Sequence, residues 1–284
     1  MANDMQRIVQ GSVFRFLVGK HQRPMTIHTA LVAEQSSALR ALVSGFMEEA
    51  NIGTAVWEDV EEDTFARFAQ FVYTGDYPPP SCKTTEDFQV AAPEPIEDAD
   101  EVVALPEPEQ DMSQNFSDWG GWTPKEKRAA KKRGRQVIER VASHDLTYKV
   151  SSSAKFVDMC KIRSNESSTE DYGPVFLGHA RLYVFAEKWG VRSLKDLVLQ
   201  KLHATLREYK PYEARYGDVV ELIRYTYENT PSRKRMDGLR ALITQYVAHE
   251  TPQIVGSAPC LSLVENGGPF ARDLLSMVLE KVPQ

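Results

Sequence analysis

Two stretches decide the fold: Met25-Thr-Ile-His28-Thr-Ala-Leu-Val32-Ala-Glu-Gln-Ser36-Ser-Ala-Leu39 and Phe65-Ala-Arg-Phe68-Ala-Gln-Phe-Val72-Tyr73-Thr-Gly75-Asp-Tyr77. The first passes from an extended run, residues 25–27, into helical spacing carried by Leu31, Val32, Leu39, Leu42, Val43 and Phe46. The second places Phe65, Phe68, Ala69, Val72 and Tyr73 at i, i+3, i+4, i+7 and i+8, the stripe of a helix with one buried face. Gly75 suits the left-handed residue that ends such a helix, and Pro78-Pro-Pro80 prevents it from resuming.

Toward the N-terminus, residues 13–18 alternate, with Phe14, Phe16 and Val18 on one face and Val13, Arg15 and Leu17 on the other, as in a half-buried strand. Residues 19–23, short and glycine-led, predict a hairpin that pairs this strand antiparallel with 25–27. A third strand is expected over 54–58, ahead of Val60 and the Phe-rich helix.

Toward the C-terminus the regularity stops. Between residues 84 and 111 lie ten carboxylates and no Lys or Arg, with Pro93, Pro95, Pro106 and Pro108. Too little apolar area remains there to offset chain entropy, so disorder is expected. The basic run Lys125, Lys127, Arg128, Lys131, Lys132, Arg133 and Arg135 follows, within a short helix expected over 124–141 behind the Thr123, Pro124, Glu126 start signal. Over 148–162 the periodicity fits neither helix nor strand alone. Order is expected to return at Pro174, with Leu182, Phe185, Ala186 and Trp189 on one helix, Gly190 at its end, and Leu194, Leu197, Val198, Leu202 and Leu206 on the next. Further helices are expected near 219–227, 239–247 and 274–282.

The resulting class is α+β, a small sheet flanked by helices, interrupted by a largely disordered insert and followed by an all-helical C-terminal extension. This order resembles the BTB/POZ domain. The residues that carry the resemblance are Ile27-His28, Leu31-Val32, Ser36 and Leu39, then Phe65, Phe68, Phe71, Tyr73-Thr-Gly75 and Tyr77, and later Tyr183-Val-Phe-Ala186-Glu-Lys-Trp189 with Leu194. It divides the chain into a first part over 8–80, an acidic-then-basic insert over 81–174, closing helices over 175–210 and a helical extension over 211–284, as in fungal members. Gly11-Ser12 and Thr29 stand where transcription-factor members carry an Asp and a basic residue, a departure that argues against corepressor recruitment.

The resemblance implies a non-enzymatic protein-interaction module, an adaptor whose partners are a second BTB chain or a cullin-type ubiquitin-ligase scaffold. Candidate partner-binding residues are Phe65, Phe68, Tyr73, Tyr77, Tyr183 and Trp189. The runner-up is a nuclear regulator that binds nucleic acid or chromatin through the basic run, because closely spaced cations favour a polyanion; an import signal has the same composition. Trp119 and Trp122 are the insert's candidate anchors.

No constellation for catalysis stands out. His28 begins a helix beside Ile27 and Leu31 with no nucleophile near, so a hydrogen-bonded structural histidine is expected. His21, His144, His179, His203 and His249 show no metal-ligand spacing with Cys82, Cys160 and Cys260, and no phosphate loop or nucleophile elbow occurs. No cofactor, metal or small-molecule substrate is expected. Three cysteines without paired spacing fit a reducing compartment. No apolar run is long enough to cross a bilayer and residues 1–7 carry no apolar signal core, so an intracellular protein of nucleus or cytoplasm is expected.

Overall fold

The first strand, β1 (Val13–Val18), buries Phe14, Phe16 and Val18 and turns Val13 and Arg15 outward, following the alternation in its sequence. In the computed structural model, which describes residues 6, 8–84, 154–232, 236–249 and 252–279, β1 is the centre of a three-stranded sheet of order β2-β1-β3. β2 (Arg23–His28) pairs with it antiparallel, Phe16 opposite Met25. The hairpin bend passes through Gly19 at φ 73° and Gln22 at φ 47°. β3 (Thr54–Trp57) pairs with β1 in parallel, Leu17 opposite Val56.

Helices cover the inner face of this sheet. α1 (Thr29–Gln35) and α2 (Ser37–Ser44) meet at Ser36, whose side chain accepts the Leu39 N–H and so caps α2. The short α3 (Glu48–Ile52) leads directly into β3. α4 (Glu62–Thr74) buries Phe65, Phe68, Phe71 and Val72 and ends at Gly75 in the left-handed conformation, φ 77°. Phe46 departs from expectation. The helical spacing assigned it to the buried face, but α2 ends at Ser44 and Phe46 is fully exposed.

α5 (Ala154–Met159), α6 (Gly173–Trp189) and α7 (Arg192–Glu208) belong to the same body. All described residues fall in one unit, residues 1–91 with 152–284. The expected disorder of the acidic tract, the helix over 124–141, and Trp119 and Trp122 lie outside the described residues. The described ends of the expected insert are folded against the body. β4 (Lys83–Thr84) pairs antiparallel with β5 (Glu170–Asp171), and the fully buried Asn165 pairs both ways with Lys210. Its Nδ2 donates to Lys210 O at 2.8 Å and its Oδ1 accepts the Lys210 N–H at 2.6 Å. These polar anchors follow no apolar period, so residues 160–172 read as insert when they belong to the fold.

The core is an aromatic layer shared by sheet and helices. Phe16 lies 4.6 Å from Trp57 and 5.1 Å from Phe65; Trp57 stacks on Trp189 at 4.7 Å; Phe68 meets Phe185 at 4.8 Å. Such ring contacts add roughly 0.5–1.5 kcal/mol each beyond area burial. The extension is helical among the described residues: α8 (Tyr216–Asn229), α9 (Gly238–His249), α10 (Pro252–Val255), α11 (Ala258–Glu265) and α12 (Pro269–Leu279). α10 and α11 were not expected, because Pro252 and Pro259 suggest interruption, yet proline is tolerated in a first helical turn.

Candidate functional site

The outward face of the sheet is built in rows. Leu17 has Pro24 on one side and Val56 on the other; Arg15 lies between Thr26 and Thr54; Val13 is opposite His28. The two outer rows are thus apolar on β1 and the middle row is polar. Val13 and Val56 are 55% and 53% exposed. The parallel ladder continues through Arg15 N–H donating to Gly53 O, which brings Ile52, 65% exposed, alongside.

From there the chain leads back through α3, which packs on α2 and β3, to Met47 and the fully exposed Phe46. Phe46, Met47, Ile52, Val56 and Val13 are therefore exposed apolar residues on or beside this sheet face, Val56 separated from Val13 by the polar Arg15 row, with Glu48 exposed and Glu49 half-buried next to Met47. Several exposed apolar side chains in one part of a chain are candidates for an interaction site. Of these residues only Val13 was placed outward by its strand alternation. The available signal for the others was a Phe-Met pair just past Gly45, beyond the helix end.

The six candidate partner-binding residues separate by burial. Phe65, Phe68, Tyr77 and Tyr183 are buried, each at most 1% exposed, so their rings belong to the core and cannot meet a partner in this conformation. That corrects their assignment as contact residues; the stripe that identified α4 and α6 is the face that packs inward. Trp189 is half-buried against Trp57. Tyr73 alone is well exposed, at 49%. Its oxygen accepts the His28 N–H at 3.2 Å and is hydrogen-bonded to His28 Nδ1 at 2.7 Å. His28 is thus hydrogen-bonded and half-buried. The polyanion candidates Lys125, Lys127, Arg128, Lys131, Lys132, Arg133 and Arg135 lie outside the described residues.

The most unusual chemistry is interior. Lys201 Nζ pairs with Asp76 at 2.6 Å and donates to Tyr77 O at 2.7 Å and Cys160 O at 3.2 Å, with the Tyr77 ring 4.9 Å away. Tyr77 Oη is 2.8 Å from Nδ1 of the fully buried His179, whose Nε2 has no partner among the described residues. Burial, with Lys201 and Arg67 nearby, pushes His179 down to about 3, so it is neutral at physiological pH. Burial, then Asp76, pushes the Cys160 thiol up to about 11, which leaves no thiolate nucleophile there. This cluster is largely buried, with Asp76 partly exposed at its edge, and ties chain segments together. Among the described residues no group of three or more His, Cys, Asp or Glu is arranged to hold a metal ion. No helix among them is long and apolar enough to cross a membrane. No protein-family model matches the chain, and no curated protein matches it.

Proposed function

We propose that this chain is a non-enzymatic protein-interaction module of BTB/POZ type, an adaptor that docks a partner on the outward sheet face and the Phe46-Met47 corner. The observation that carries this reading is the exposure of Phe46, Met47, Ile52, Val56 and Val13. Fully burying a side chain of the size of Phe, Ile or Val contributes roughly 1.5–3 kcal/mol, so several together supply a stable contact. Phe46, standing free at a corner, has the character of an anchor that inserts into a partner's recess.

The partner classes are those the sequence resemblance implies, a cullin-type ubiquitin-ligase scaffold or a second copy of the chain. The α+β body with an open sheet face supports that reading. The test compares the full-length protein with Phe46→Asp and Val56→Lys by light scattering and by calorimetric titration of a purified cullin scaffold. Self-association or scaffold binding that both substitutions weaken at least tenfold supports the proposal. A monomer that ignores the scaffold, or binding indifferent to both changes, overturns it.

A further inference from the structure

A cleft of about 340 Å³ opens on the C-terminal helices, with Ser232, Asp237, Arg240, Arg272 and Asp273 in its walls. It lies apart from the sheet face in sequence and rests on none of the adaptor reading. Arg240 is 4% exposed, a burial rare for a cation without a carboxylate partner. Its Nε donates to Thr230 Oγ1 at 2.8 Å, its Nη2 donates to the Tyr227 and Thr230 carbonyls, and its guanidinium stands 4.5 Å from the centre of the Tyr227 ring. Among the described residues Nη1 takes no partner, and no carboxylate comes within ion-pair distance of Arg240.

The two acids in the walls are already committed. Asp237 accepts the Leu239 N–H at 2.9 Å on Oδ1 and the Tyr183 O–H at 3.0 Å on Oδ2. Asp273 accepts the Tyr227 O–H at 3.1 Å on Oδ2 and faces Arg272 at 3.3 Å on Oδ1. What remains uncommitted in the cleft, among the described residues, is donor capacity: Arg240 Nη1, the outer N–H groups of Arg272, which is 66% exposed, and the Ser232 hydroxyl. α9 begins at Gly238, one residue after Asp237, so its positive end adds to the same region.

We infer that this cleft binds a phosphate group, held between the Arg240 and Arg272 guanidinium groups with Ser232 as a further donor. Guanidinium forks match phosphate oxygens two at a time. The group is either free phosphate or the phosphate of a phosphorylated protein segment, and the two sources share this chemistry.

The experiment titrates inorganic phosphate and a short phosphoserine peptide, each in turn, into the full-length protein by calorimetry. The same titrations are made with Arg272→Gln, with Arg240→Lys, and with the cations of 125–135 replaced by Gln. Saturable binding is expected, weakened about tenfold or more by Arg272→Gln and unchanged by neutralising 125–135. Tighter binding of the peptide than of phosphate assigns the phosphorylated segment; equal or weaker binding assigns free phosphate. Absence of saturable binding, binding that Arg272→Gln leaves intact, or binding lost with the 125–135 cations overturns the site. Arg272 is exposed, so its variant decides the question even where Arg240→Lys fails to fold.

Discussion

Lys201 Nζ sits 2.6 Å from Asp76 Oδ1 and is bonded at the same time to the carbonyls of Tyr77 and Cys160. One ammonium group therefore joins the segment that follows α4 to the segment that follows α5. Its three donors are all engaged, which offsets the cost of keeping a lysine side chain only 10% exposed.

Replacing Lys201 with Met keeps most of the stem but leaves a carboxylate and two carbonyls without their donor. Asp76 is partly exposed and water recovers some of the loss, so a decrease of about 2–3 kcal/mol in unfolding free energy is expected. Urea denaturation monitored by tryptophan fluorescence measures it. A loss within a few tenths of a kcal/mol would mean the clamp contributes nothing net.

Gly178 on α6 faces Pro80, whose Cγ and Cβ lie 2.5 and 2.9 Å from where an added Cβ would stand. The proline ring is rigid and cannot swing aside. Gly178→Ala should cost about 1–3 kcal/mol by overpacking, although alanine is the better helix former. Chemical denaturation of the variant is the check, and a stabilised protein would contradict this contact.

Acidification should reveal two opposed groups. Burial pushes Asp218 up to about 6, partly offset by the Tyr172 N–H it accepts, while His179 is pushed down to about 3. As pH falls from 6 toward 4, the folded state gains a proton at Asp218 that the unfolded chain lacks, which raises stability. Below about 6.5 the unfolded chain protonates its histidine and the folded state does not, which lowers stability. The two nearly cancel between pH 4 and 6. Asp218→Asn removes the first, so the variant should lose stability on acidification more steeply than the wild type, by about 1.4 kcal/mol per pH unit for one proton. Denaturant midpoints at pH 7, 5.5 and 4.5 for both proteins test it, and parallel profiles would rule it out.

Reversing the charges of Lys125, Lys127, Arg128, Lys131, Lys132, Arg133 and Arg135 separates the adaptor reading from the nucleic-acid reading. The adaptor reading predicts that the wild type shows no saturable binding to duplex DNA at physiological salt. Binding that weakens as salt rises, and that disappears on charge reversal, would favour the nuclear regulator instead. Fluorescence anisotropy across a salt series provides the measurement.

Much of the local structure was legible because it rests on near-neighbour rules. The 13–18 alternation gave β1 its faces, and Gly75 and Gly190 end α4 and α6 at φ 77° and 67°. What misled was the step from a periodic residue to its role. Phe65, Phe68, Tyr77 and Tyr183 carried the pattern and proved to be core, whereas Phe46, just past α2, and Val56, on β3, lie exposed. The anchors of residues 160–172 are polar bonds such as the reciprocal pair between Asn165 and Lys210, 45 positions apart, and leave no period in the sequence.

The sequence by itself determined the types of β1 to β3, α4, α6 and α7, the inward face of β1 and of α4, and the α+β class, since each follows from spacing of two or about 3.6 residues. Only the tertiary structure decided the parallel pairing of β1 with β3, the exposure of Phe46, Met47, Ile52 and Val56, the clamp at Lys201 and the uncommitted donors around Arg240. Exposure and hydrogen-bond partnership depend on which distant segment covers a residue, and that is set by packing rather than by neighbours along the chain.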